Sequence, residues 1–353
     1  MESNQRRVAG AFALIAIAAY PTVALGCATC GCSLSTEAAM GYSDAPGWRV
    51  SFEFDFINQD QLRSGTKSLS SQQVAAINDA GGSQEVEKQT INRYLTLFVN
   101  YIPNPDWDLN LQVPYIDRSH DTYGTATNPL TPDQISGASV DSIGDMRFIV
   151  SYQGFLPTHN LGVQLGIALP TGNYGGPNAD HTGIVGRHPV AFVSGPNSQN
   201  PSPDNLLDTS LQAGTGATRI LVGAYYYQAV SQDFDAFVNG QYGVAVAHKL
   251  NQPGEDYRPG NQVAVSFGAR YAENPKIVPQ LQVNITYKSP DQGVLADTIS
   301  TGGTVVYLSP GIGATVADRV QVFAFVQIPL YSRLDGIQLF PHWTASAGVS
   351  YSF

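Results

Sequence analysis

Cys27, Cys30 and Cys32, in the stretch CATCGC, are the three cysteines of a 353-residue chain, so thiol chemistry is the first chemistry the sequence offers. Four uses fit a C-x-x-C-x-C run. In an oxidising compartment two of the three pair as a disulfide and leave one thiol over. Three soft thiolates in one loop suit Cu(I), or Zn(II) once a fourth ligand joins them. A C-x-x-C pair also cycles between thiol and disulfide with a redox partner. Finally, Ala24-Leu25-Gly26-Cys27 loosely mimics a lipoprotein cleavage site, which makes Cys27 a candidate for lipidation. No C-x-x-C-H is present, which disfavours covalent haem, and without a complete second ligand cluster no cofactor is certain.

Where the chain goes decides among these uses. Arg6 and Arg7 precede the apolar run from Val8 to Tyr20, and small residues follow it up to Gly26. Residues 1–26 therefore read as a cleaved secretory signal, because the run is shorter than the roughly 20 residues a permanent helical span needs. Residues 27–46 form a short Cys-rich lead, and 47–353 a single domain.

With Asp plus Glu at 28 against Lys plus Arg at 18, the net charge is -10, which excludes nucleic acid as a natural partner. The 35 Gly, 18 Tyr and 15 Phe fit neither a helix-bundle enzyme nor a disordered tail. The mature chain holds no 18-residue apolar run, so helical spans are not expected. A membrane barrel hides its apolar residues at every second position, and alternation is the dominant signal here. Trp343, Ala345, Ala347, Val349, Tyr351 and Phe353 interleave with small polar residues, Val50, Phe52, Phe54 and Phe56 with Arg49, Ser51, Glu53 and Asp55, and Leu281, Val283, Ile285 and Tyr287 with Gln280, Gln282, Asn284 and Thr286.

Such segments number twelve, at roughly 47–62, 91–103, 107–119, 143–156, 160–172, 216–230, 234–248, 260–273, 277–289, 303–317, 319–332 and 341–353. Their connections alternate between long (63–90, 120–142, 173–215, 249–259, 290–302, 333–340) and short (NPDW, LPTH, SQD, ENPK, ADR). Bacterial outer-membrane barrels have this asymmetry. An antiparallel soluble sandwich also alternates, but the segments exceed its usual five or six residues, and the chain ends on Phe353. The expectation is an all-β, twelve-stranded antiparallel transmembrane barrel in the outer membrane of a Gram-negative bacterium. Both termini would be periplasmic, and the Phe353 strand would be presented to the barrel-assembly machinery.

If the apolar set meets lipid, the other set lines the lumen. It includes Arg49, Glu53, Asp55, Arg147, Arg270, Gln280, Gln282 and Asn284. The charged members form either a salt-bridge network stiffening the wall or a selectivity constriction. Phe323, Phe325 and Tyr331 fall on the same inner phase, an aromatic patch that would favour aromatic solutes. Tyr101, Tyr115, Tyr225, Tyr271, Tyr287 and Tyr331 are candidates for interfacial girdles. The loop 173–215 is long enough to fold inward as a lid.

SIGDMRFIVSYQGF (from Ser142), LGIALPTGNYGG (from Leu165), LQAGTGATRILVGAYYY (from Leu211), YLSPGIGATV (from Tyr307) and the closing GVSYSF resemble outer-membrane proteins of the meta-pathway phenol degradation family. The likeness covers most of residues 90–353 and leaves out CATCGC. It implies a transporter-like barrel, associated in some members with uptake of aromatic or other hydrophobic compounds.

Some twelve-stranded barrels are phospholipases with Ser, His and Asn on the lipid face. Here His120, His159, His181 and His188 fall in connections, and His248 and His342 at strand ends. No such triad can be assigned, so an enzyme is not expected. The expected function is passive passage of small solutes, aromatic or hydrophobic ones among them, through a narrow polar lumen. The rival from another class is a barrel that serves a periplasmic copper, thiol-redox or electron-transfer partner through Cys27, Cys30 and Cys32.

Overall fold

A computed structural model describes residues 46–353. The signal segment and the three cysteines lie outside the described residues. The strands are β1 (Gly47–Gly65), β2 (Lys67–Leu69), β3 (Glu87–Asn104), β4 (Trp107–Thr122), β5 (Ser136–Ile143), β6 (Met146–Tyr152), β7 (Leu161–Leu169), β8 (Tyr174–Pro177) and β9 (Ile184–Arg187). There follow β10 (Phe192–Ser194), β11 (Ala217–Ala229), β12 (Phe234–His248), β13 (Gln262–Tyr271), β14 (Ile277–Lys288), β15 (Gly303–Ala317) and β16 (Val320–Ser352).

Eleven of these elements close a ring in the order β4-β3-β1-β16-β15-β14-β13-β12-β11-β7-β6 and back to β4. Ring neighbours are nearly everywhere consecutive along the chain, across short turns and long loops alike. Trp48 and Phe353 exchange backbone hydrogen bonds at 3.0 and 2.9 Å, which stitches the last strand to the first. β2, β5 and β10 lie outside the ring: β5 extends the wall beside the far half of β4, from Tyr115↔Ile143 to Thr122↔Ser136, and β10 pairs with β5.

Both of the last two expected segments fall inside β16, which is 33 residues long. Its first half pairs with β15 up to Leu334↔Gly303, and its second half with β1 from Leu334↔Gly65 to Ser352↔Arg49. Gly336 sits midway with φ 59°, a left-handed position that glycine adopts without strain. Ser352 N–H donates to Arg319 O at 3.0 Å, and a Cβ on Gly348 would lie 2.5 Å from the Phe323 ring. The two halves therefore lie side by side, and the chain doubles back at Asp335-Gly336.

The ring turns its apolar residues outward. Leu165 is 62% exposed and sits between Val150 and Val222 on the neighbouring strands; Phe54 likewise sits between Leu95 and Ala347. Phe148, Phe267, Leu281 and Ile312 continue this band around the cylinder. An apolar surface on that scale is far beyond what a monomer presents to water, whereas lipid needs it and ring closure leaves no unpaired sheet edge.

The loop end carries the buried apolar clusters. Ser70 caps α1 (Ser71–Asp79) in a capping box with Gln73. That helix packs Val74 and Ala75 against Leu62, Val86, Ile337 and Leu339. A second cluster joins Ala138, Val140 and Phe192 to Leu207, Leu211 and Ala213 of the 173–215 loop. Residues 46 and 353 lie at the opposite end, with the short turns.

Candidate functional site

All eight lumen candidates face into the cylinder. On β1, Arg49, Glu53 and Asp55 share the inner face with Ser51, while Phe52 and Phe54 face out. Glu53 is 0% exposed and hydrogen-bonds to Asp55, which also accepts from the Ser346 hydroxyl across the seam. Arg270 lies 4.0 Å from Asp235 on the neighbouring strand. On β14, Gln280, Gln282 and Asn284 form one inner row, and Asn284 Nδ2 donates to Ser309 Oγ at 2.7 Å. Among the described residues, no ion pair joins the arginines Arg147 and Arg270 to Glu53 or Asp55; the two acids sit together on β1, and the arginines stand apart from them on β6 and β13.

The inner face is not uniformly polar. Phe323 and Phe325 both point inward, ring centroids 6.1 Å apart. They fit because Gly348 and Gly311 lie beneath them, where a Cβ would come within 2.5 and 2.1 Å of the rings. Phe237 is accommodated in the same manner over Gly268.

Two tyrosine placements differ from expectation. Tyr225 is buried inside the wall, donating to Gln153 Oε1 at 2.7 Å over Gly162, so it is no girdle residue. Tyr331 faces out, because a bulge where Val306↔Tyr331 gives way to Tyr307↔Pro329 flips the phase that Phe323 and Phe325 keep. Tyr101, Tyr115 and Tyr287 are exposed as girdles require.

Sequence reasoning missed Arg118, Asn100, Asp108 and Arg219. Arg118 lies on the inner face of β4, donating to Asn92 Oδ1 at 2.6 Å, to the Tyr94 hydroxyl at 2.9 Å and to the Leu211 carbonyl. It thereby pins the 173–215 loop to the wall. Gln212 holds the loop's own turns, donating to Leu207 O at 2.7 Å and accepting from Val190 N at 2.8 Å. His120, expected in a connection, is buried in β4 against Thr90 Oγ1 at 2.8 Å. Beside it the folded loop borders an open cavity of about 760 Å³, lined by Glu85, His120, Phe192, Asp204 and Leu207. Asn100 and Asp108 flank the short turn between β3 and β4 and bond at 3.0 Å.

No protein-family model and no curated protein matches this chain in sequence. Solved structures do match. An outer membrane channel from Pseudomonas putida F1 superposes with a TM-score of 0.57 at 12% identity, covering 88% of this chain and 96% of that one. The translocator domain of the autotransporter NalP from Neisseria meningitidis reaches 0.47 at 9% identity, covering 90% and 92%. The Ralstonia pickettii toluene transporter TbuX reaches 0.43 at 12% identity, covering 90% and 93%. What this chain shares with the Pseudomonas putida F1 channel is the fold, an antiparallel barrel of the outer-membrane type.

Proposed function

We propose that this chain is an outer-membrane channel of twelve crossings through which small solutes, aromatic or hydrophobic ones among them, pass by diffusion. The carrying observation is the inverted surface: apolar outside, amide-, acid- and arginine-lined inside. The strand number rests on parity. Every pairing around the ring is antiparallel, and directions cannot alternate around an odd number of strands, so the doubled-back β16 counts as two. An even number puts both ends on one side, which we assign to the periplasm, with the long loops outside and the seam strand ending at Phe353 presented to the assembly machinery. Arg49, Glu53, Asp55, Arg147, Arg270, Gln280, Gln282 and Asn284 set field and hydrogen bonding along the passage, and Phe323 and Phe325 supply its aromatic face. The fold shared with the Pseudomonas putida F1 outer membrane channel supports this reading, as does the meta-pathway resemblance of the sequence. Nothing among the described residues favours the copper or thiol reading, since Cys27, Cys30 and Cys32 lie outside them. Liposome swelling tests the channel: vesicles holding the protein admit a pentose faster than protein-free vesicles and faster than a trisaccharide. Equal rates in all three cases contradict it.

A further inference from the structure

Arg147 on β6 and Arg219 on β11 both sit opposite Ala168 on β7, so the three residues form one inward row with a methyl group at its centre. Alternate strands are about 10 Å apart, within converging reach of two arginine side chains. Their charges are near enough to repel. Gly243 makes room for the Arg219 head, since a Cβ there would lie 2.9 Å from Nη2. Among the described residues neither guanidinium has a hydrogen-bonded carboxylate, and Arg219 Nε is buried without a partner. The nearby acids are committed elsewhere. Asp145 accepts from Gly172 N at 3.1 Å, from Thr215 N at 2.9 Å and from Thr215 Oγ1 at 2.7 Å. Asp291 holds Lys288 Nζ at 2.9 Å, the Tyr257 hydroxyl at 3.0 Å and Gly260 N at 2.7 Å.

The two arginines face a lumen cavity of about 90 Å³ whose other polar walls include Gln241, Gln262, Ser266 and Asn284; no acidic side chain lines it. Two like charges without an anion between them, in a confined site, are unfavourable for the empty protein. A planar carboxylate relieves that cost, because each guanidinium presents a fork matched to two oxygens.

We infer that Arg147 and Arg219 form a binding site for the carboxylate of a small organic acid, at the loop end of the lumen. This deepens the channel reading by naming a substrate class, organic anions, in place of neutral solutes alone. Benzoate is the probe, and benzamide, of the same shape without the charge, is its control. Calorimetric titration of the detergent-solubilised full chain is expected to show benzoate binding at least about tenfold tighter than benzamide, the equivalent of one charged hydrogen bond. The Arg147→Gln/Arg219→Gln double variant is expected to lose that preference while keeping the heat-modifiable gel mobility of a folded barrel. If the double variant does not fold, Arg147→Lys/Arg219→Lys keeps the charge but not the forks, and is expected to weaken benzoate severalfold. Equal affinity for the two probes in the native protein overturns the site, as does a benzoate affinity undiminished in either folded variant. Bilayer conductance in KCl, recorded on the same preparations, separates the two readings. Conductance without benzoate preference sinks the site alone, and benzoate binding without conductance sinks the channel alone.

Discussion

Replacing Leu165 by arginine is expected to cost the folded barrel about 2 to 4 kcal/mol in a phospholipid bilayer, the range for a cation on the lipid face near the midplane. Leu165 is the central residue of β7, and its flanking partners Val150 and Val222 are apolar and outward-facing too, so the new charge finds no polar neighbour on its row. Because the side chain is 62% exposed to its surroundings, the substitution leaves almost no cavity, and the effect isolates the medium. Were that medium water, an exposed leucine-to-arginine change would fall within about 0.5 kcal/mol. In lipid, at 1.36 kcal/mol per decade, the folding equilibrium shifts about 30- to 900-fold. The assay is reversible guanidinium unfolding in lipid vesicles followed by tryptophan fluorescence, with Gln164→Arg as the inward-facing control, since Gln164 bonds Ser151 Oγ on the lumen side. A Leu165→Arg cost no larger than that of Gln164→Arg would refute the assignment of faces.

Four further outcomes follow from named contacts. Arg118→Met removes the charged donor that ties the 173–215 loop to β4. It is expected to destabilise by about 2 to 3 kcal/mol and to expose that loop to limited proteolysis; an unchanged cleavage pattern would contradict the anchoring. Phe323→Ala with Phe325→Ala empties the space over Gly348 and Gly311, so single-channel conductance is expected to rise, and a constant value would show that the aromatics do not narrow the path. Asp297 lies in the loop after β14; burial raises its pKa above the usual carboxylate value, against backbone donors Ile299 N and Ser300 N that lower it. A carboxyl raised in the folded state contributes stability when protonated and loses it as pH climbs through the folded value. Asp297→Asn is therefore expected to be more stable than the native protein at neutral pH, with the gap closing in acid. A gap that widens in acid, in paired thermal melts, would reverse that sign. Replacing Cys27, Cys30 and Cys32 by Ser is expected to leave bilayer conductance unaltered; its abolition would return the thiols to the centre of the function.

How much of this was legible in the sequence depended on which physical signal each residue carries. Strand alternation survives because the medium sets it residue by residue, so β1, β12, β14 and β15 fall within a few residues of their expected limits, and every proposed lumen side chain faces inward. Bulges are another matter. The register shift at Val306/Tyr307 changes which side a β16 residue faces without changing its neighbours in sequence, and Tyr331 landed on the wrong face for that reason. Arg219 escaped notice because Leu221 and Tyr225, which share its inner face on β11, make that face look apolar. Tyr225, within the run Tyr225-Tyr226-Tyr227, had no polar alternation to place it, and the absence of a Cβ at Gly162 decided the matter. The loops concealed more. Ser70 and Gln73 spell a capping box that announces α1, but β5 and the β8–β9 hairpin are short stretches with no apolar alternation to mark them, although each pairs with a near neighbour in the chain. The closeness of Arg147 to Arg219 depends on strands that meet only after the 173–215 loop has returned, so no local spacing carried it.

Planar-bilayer recording of the purified full chain tests most directly whether the sealed cylinder conducts. Discrete, repeated current steps in KCl after insertion are the predicted result. A silent bilayer, together with recovery of the protein as a monomer in detergent-free buffer, would contradict it.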